Sequence, residues 1–297
     1  MLRLFLLLFC LLCASIQANG NDVRVDIRVT AAFSKQDIGN QFYVELAKLA
    51  LSKGADGRTV PNIVPTVSMN QARALKELEK GTLDLLWIGT DIDKEKHFRA
   101  IRIPLHMGLM GFRRFIINEQ DRDKFTAINS LSGLRQLMAC QGTHWPDTKI
   151  LKAAGLNVLS TSIHENLYEH LGKGRCDYFP RGFHEAPAEV KQWKAKFPSF
   201  KVYDGLILHY PFTIYFFTTK QNEKLAKWVE DGLEKMIDDG ELLAFMQQHS
   251  YTAHIFPLHR FQSSTFIELK NPWLPLDTPI KDPRYWLSAD WFKRSPQ

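Results

Sequence analysis

Long apolar runs are nearly absent from this chain of 297 residues. The single example, Leu4 to Ala14, stands at the start and is shorter than the roughly 20 residues a membrane-crossing helix needs. No later segment is long and apolar enough to span a bilayer. Cysteine is scarce as well: there are four, and Cys10 and Cys13 fall inside that first run. Beyond it no CxxC or HExxH spacing occurs, so no zinc site is expected. No GxSxG elbow, P-loop or GxGxxG is present, which argues against the common hydrolase and nucleotide-binding sites. A dominant charge of one sign is missing too, with 38 Lys and Arg against 32 Asp and Glu, a net charge of +6. The densest basic cluster, Arg99, Arg102, Arg113 and Arg114, is broken by apolar residues. Nucleic-acid binders gather such residues into one patch, so no nucleic-acid partner is expected.

What is present begins with an address. Arg3 is the only charged residue before Asp22, the apolar stretch follows it, and Ser15-Ile16-Gln17-Ala18 closes the segment with small residues. This is the pattern of a secretory signal peptide over residues 1–18, cut after Ala18, with Ala14 as a second cut point. Cys10 and Cys13 lack the small residues that precede a lipoprotein cysteine, so a soluble exported protein is expected. Export leaves Cys140 and Cys176. In an oxidising compartment they can pair, or they can serve as two buried thiols; the sequence leaves both open.

Alternation then organises the chain. Val23, Val25, Ile27 and Val29 read as a strand, and Phe42, Leu46, Leu49 and Ala50 as a helix ending at Gly54. Ile63 to Val67 is extended, Asn70 to Lys80 helical, and Leu85-Leu86-Trp87-Ile88 a buried strand closed by Gly89-Thr90. Strands Met110 to Ile117, Gln136 to Cys140, Val158-Leu159 and Asp177 to Phe179 alternate with helices 147–154 and 164–171. Phe212 to Thr218 is extended again, and Leu225, Val229, Leu233, Met236 and Ile237 mark an amphipathic helix. Strands alternating with helices predict an α/β layer with a mostly parallel sheet. From about Thr252 the chain is rich in proline and aromatics, and reads as a tail wrapping the body.

Several phrases resemble the bilobal periplasmic solute-binding proteins that serve polar amino acids. They are Ala74 to Asp84, Leu131-Ser132-Gly133-Leu134 through Gln141-Gly142-Thr143, Gly174-Arg175-Cys176-Asp177-Tyr178, and Phe212 to Lys220 with Leu225 to Gly240. The resemblance covers about residues 22–250. Ile101 to Leu105, Gly108 to Arg113, Trp145-Pro146-Asp147, Tyr178 to Gly182 and Leu269 to Pro275 are similar to a divergent exported branch of that superfamily with no well-defined ligand. The resemblance implies the type II binding-protein fold, with each lobe a mostly parallel sheet flanked by helices. Lobe 1 would be 22–108 and 213–251, lobe 2 109–212, and 252–297 a C-terminal extension, with two hinge crossings and ligand in the cleft. It also implies a periplasmic monomer, a small-molecule ligand, a membrane permease or sensor receptor as partner, and no cofactor.

The departures matter. Amino-acid binders carry an Arg after the strand end that Gly89-Thr90 resembles, where it forks onto the ligand carboxylate; this chain has Lys96 in that stretch, and lysine cannot reproduce the fork. The acid that receives the ligand ammonium, just after the strand at Asp177, has no match, since Pro180 and Arg181 stand there. An anionic or carboxylate-bearing ligand is therefore expected. The candidate ligand-binding residues are Trp87, Thr90, Lys96, Arg102, Gln141, Gly142, Thr143, Trp145, Tyr178 and Arg181. Gln141-Gly142-Thr143 leads the set, because backbone N–H groups between a strand end and a helix suit an anion. His184 and Glu185 form a neighbouring acid–base pair, yet Glu is favoured at a helix start in any case. A binding protein rather than an enzyme is expected.

Overall fold

The computed structural model describes residues 26–34 and 37–293. The expected signal peptide and the expected strand positions Val23 and Val25 lie outside the described residues. The chain runs β1 Ile27–Val29, α1 Ile38–Lys53, β2 Ile63–Pro65, α2 Gln71–Glu79, β3 Leu86–Gly89, α3 Ile92–His97 and β4 Phe98–Ile101. It then enters β5 Phe112–Asn118, α4 Arg122–Thr126, α5 Leu131–Leu134, β6 Met138–Gly142, α6 Pro146–Ala153, β7 Asn157–Thr161 and α7 His164–Gly172. After β8 Tyr178–Gly182, α8 Glu185–Trp193 and β9 Phe200–His209 it returns through β10 Ile214–Thr219, α9 Glu223–Asp238 and α10 Glu241–Gln248, and the tail contributes β11 Thr265–Glu268.

Two bodies result. The second is a six-stranded sheet in the order β11-β9-β5-β8-β6-β7, in which β11–β9, β8–β6 and β6–β7 pair in parallel. Apolar clusters cover both of its faces, one around Phe115, Phe125 and Tyr178 and one around Phe179, Tyr168 and Leu171. That explains why every residue of β5 and β8 is buried. The first body carries the parallel pair β1–β2 and the sheet β3-β10-β4, where returning β10 runs antiparallel to both neighbours. Its α1 and α9 touch closely: a Cβ on Gly232 would come within 1.8 Å of the Ala50 carbonyl oxygen, so only glycine fits.

A disulfide joins Cys140 and Cys176, with Cα atoms 5.6 Å apart. Cys140 belongs to β6, while Cys176 sits in the turn before β8, where no ladder fixes its height. That freedom lets the two meet across adjacent parallel strands.

The tail is bound to both bodies. β11 extends the six-stranded sheet along β9, and Leu269 N–H continues the ladder to the His209 carbonyl. On the other body, Ile92 N–H donates to the Trp273 carbonyl, and Arg284 pairs with Asp238 at 2.9 Å. Between them it grips the first crossing: Leu287 N–H donates to the Met107 carbonyl, and the Trp286 ring lies on Gly108, whose φ of 74° and lack of a side chain accommodate it. Phe261 and Phe292 pack on Phe183, with ring centroids 4.7 and 5.4 Å away.

Candidate functional site

The two bodies face one another across a cleft of about 360 Å³. The first supplies most of its wall. In β3 the alternation sends Leu86 and Ile88 into the core and turns Trp87 to the other face, where it stacks on Tyr43 of α1 at 5.2 Å and 16°. Asp37 caps α1, accepting from Asn40 N–H at 3.0 Å through Oδ1 and from Phe33 N–H at 3.1 Å through Oδ2. Tyr251, which follows α10, closes the side toward the second body.

From the second body comes Glu185, the first residue of α8. Its Oε2 accepts from Gly182 N–H at 2.8 Å, lies 3.1 Å from the Arg181 guanidinium and 4.0 Å from that of Arg113. Arg181 forks onto Glu189, with Nε 2.9 and 2.8 Å from its two oxygens, and lies over the Trp145 ring at 4.8 Å. Arg113 pairs with Asp147 at 2.6 Å, and Tyr210 donates its hydroxyl to the same carboxylate. Burial pushes the Glu185 carboxyl up, but the charges of Arg181 and Arg113 and the Gly182 N–H outweigh it and hold the group below the usual carboxylate range. This buried network sets two guanidiniums against three carboxylates, and the carboxylate that reaches the cleft is Glu185.

Behind Tyr251, two imidazoles meet. His106, on the first crossing, stacks on His184 of the second body at 4.8 Å, and both side chains are fully buried. Their four ring nitrogens have no hydrogen-bond partner among the described residues. Burial, then the charges of His254, Arg113 and Arg181, push His184 down to about 3; burial and the neighbouring His184 also hold His106 well below the ordinary range. An acid–base pair of His184 and Glu185 therefore lacks its working parts. The imidazole is sealed and neutral, and the carboxylate is held ionised.

The structure distributes the ten sequence candidates widely, and Trp87 is the one that lines the cleft. Thr90 borders a narrow gap with Asp91, Lys149 and Trp273, and its hydroxyl donates to Glu95 at 2.6 Å. Arg102 pairs with that same Glu95 at 2.8 Å and with Asp277 at 3.3 Å. Lys96 is exposed beside Asp93. The expected anion cradle is corrected: Gly142 N–H is satisfied by the Gln141 side chain and Thr143 N–H by the Thr161 carbonyl, so neither is open to a ligand. Gln141 is buried, Thr143 faces solvent, and Trp145 covers Arg181. Tyr178 belongs to the core, 4.7 Å from Phe115. Arg181 is corrected as well, because its charge is engaged by Glu189 and Glu185 behind the cleft wall. Sequence reasoning missed Asp37, Tyr43 and Tyr251, and set Glu185 aside as a residue favoured at a helix start. Asp37, just ahead of the predicted helix, carried a readable capping signal.

No group of three or more His, Cys, Asp or Glu among the described residues is placed to hold a metal ion, and no described helix is long and apolar enough to cross a membrane. No protein-family model and no curated protein matches the chain. Among solved structures, it is similar to an ancestral arginine-binding protein bound to arginine, with 18% identity, a TM-score of 0.54, and 76% of this chain and 98% of that one covered. It is similar to a substrate-binding protein of an amino-acid ABC transporter from Streptococcus pneumoniae bound to L-arginine, at 16% identity, a TM-score of 0.50, and coverage of 74% and 84%. It is also similar to the VFT2 domain of Bordetella pertussis BvgS, at 13% identity, a TM-score of 0.54, and coverage of 76% and 92%. The fold is that of the two-lobe, type 2 periplasmic amino-acid-binding proteins.

Proposed function

We propose that this chain is an exported solute-binding protein that closes on a small polar ligand and presents the closed form to a membrane permease. One observation carries the reading: the cleft is walled from both bodies, by Tyr43 and Trp87 on one side and Glu185 on the other. A ligand touching both walls favours the closed arrangement over the open one, which is how binding becomes a conformational signal. The limits taken are 22–108 and 213–251 for lobe 1, 109–212 for lobe 2 and 252–297 for the tail. The protein acts as a monomer in the periplasm; the N-terminal export pattern and the Cys140–Cys176 disulfide support an oxidising compartment. Its role is taken as binding rather than catalysis, and turnover of any screened compound overturns that. A second reading keeps the same closure and feeds it to a sensor receptor in place of a permease.

The anionic ligand expected from the sequence loses its support, because it rested on the Gly142 turn and Arg181. A thermal-shift screen of amino acids, carboxylates, sugars and amines tests the reading. A ligand present at 100 times its Kd stabilises by about 2.7 kcal/mol, which raises the midpoint by roughly 5 °C in a chain of this size. A screen in which no class moves the midpoint overturns the binding function.

A further inference from the structure

The cleft's charge defines the class of ligand. Its charged lining groups among the described residues are Asp37 and Glu185, one from each body, and both are acidic. The groups between them are aromatic, with Tyr43 stacked on Trp87 and Tyr251 beside them. No base is among the cleft's described lining residues, and the bases named above are engaged elsewhere. Arg181 forks onto Glu189, Arg102 holds Glu95, Arg113 holds Asp147 and Lys96 faces solvent beside Asp93. The buried network behind Glu185 carries one more carboxylate than guanidinium. Of its three carboxylates, the one that lines the cleft is Glu185.

We propose that the ligand is a small organic amine without a carboxylate, its ammonium group taken by Glu185 and Asp37 and its apolar stem lying on Tyr43 and Trp87. This rests on the binding-protein reading and deepens it. An ammonium placed there gains charge-assisted hydrogen bonds from two carboxylates and attraction to the faces of the aromatic rings. Closure brings Glu185 to the cation from the opposite side, so the charge that draws the ligand in is also the one that rewards closing. A zwitterionic amino acid adds a carboxylate that must lose its water beside two like charges, with no base among the cleft's described lining residues to receive it.

Four molecules of similar reach separate the possibilities by calorimetry on the protein: cadaverine, L-lysine, pimelate and pentane-1,5-diol. L-lysine is cadaverine with a carboxylate added, and the diol removes the charges. Cadaverine is expected to bind at least tenfold tighter than L-lysine, with no measurable binding of pimelate or the diol. D37N and E185Q are each expected to weaken cadaverine tenfold or more. D37N keeps a residue that caps α1 well, so it reports on charge even where loss of Glu185 disturbs Arg181. Tighter binding of L-lysine or pimelate, or an affinity for cadaverine that D37N leaves unchanged, overturns the amine while the binding function stands. Silence of these four together with the wide screen overturns both.

Discussion

A guanidinium at a strand end reads as an anion receptor, and in the folded chain Arg181 is a counterion instead. It holds Glu189 at 2.6 Å and Glu185 at 3.1 Å, with its own side chain 11% exposed. R181A is therefore expected to damage the fold before it damages recognition. Removing one partner of a buried ion pair typically costs about 3–5 kcal/mol, which corresponds to a fall in melting temperature of roughly 10 °C. R181K keeps the charge without the fork and is expected to lose less than R181A. Circular-dichroism melts of both variants decide it; an R181A melt equal to wild type refutes the counterion role. The reason this was hidden in the sequence is distance along the chain. Glu189 is eight residues away and reads as an exposed helix residue, and the charge balance at Glu185 depends on Arg113, some seventy residues earlier. The strand around Trp87 was legible because its apolar run is local, whereas the face that Trp87 takes depends on what packs against each side of β3.

At the scale of elements, strongly periodic segments were the readable ones. α1, α2 and α9 carry their apolar stripes at helical spacing, and apolar β3 lies where its composition places it. The elements missed have no such pattern. β9 alternates buried and exposed residues irregularly through Asp204 and Gly205, where its pairing with β5 shifts register. β11 has meaning only because β9 offers it an edge, a partner about sixty residues away. Cys140 and Cys176 stayed undecided in the sequence because their approach depends on the turn before β8. The bridge closes a 36-residue separation. Reducing it is expected to lower stability by about 4 kcal/mol through the freedom restored to the unfolded chain. Urea unfolding with and without reductant, compared with C140S/C176S, measures this; equal midpoints would show that the bridge contributes nothing.

For the whole molecule, the fold class followed from the order of strands and helices, while the joining of the two bodies did not. That joining includes the His106–His184 stack, which faces Glu185, Arg113, Arg181, His249 and His254. Both imidazoles are held neutral in the fold, whereas in the unfolded chain they take protons near pH 6.5. Above that pH neither state binds the extra protons, and the contribution to stability is complete. As the pH falls from 6.5 toward 3, the unfolded chain gains protons that the fold refuses, so stability drops by up to about 1.4 kcal/mol per pH unit for each imidazole. Melting temperatures should hold steady above pH 7 and decline below 6.5, and H184F, which keeps an aromatic ring in the stack, should flatten part of that decline. An identical pH profile for the variant would remove His184 from the effect.

The sheet order β3-β10-β4 also governs when the molecule can become itself. β3 and β4 are near neighbours in the chain but share no ladder; each bonds only to β10, which begins at Ile214. Strands β5 to β9, by contrast, form one continuous stretch from Phe112 to His209. As the chain emerges N-terminus first during synthesis, the second body has all five of these strands while the first still lacks its central one. The half that appears first thus receives its central strand only after five of its partner's six strands are in place, and β11 from the tail finishes that partner last.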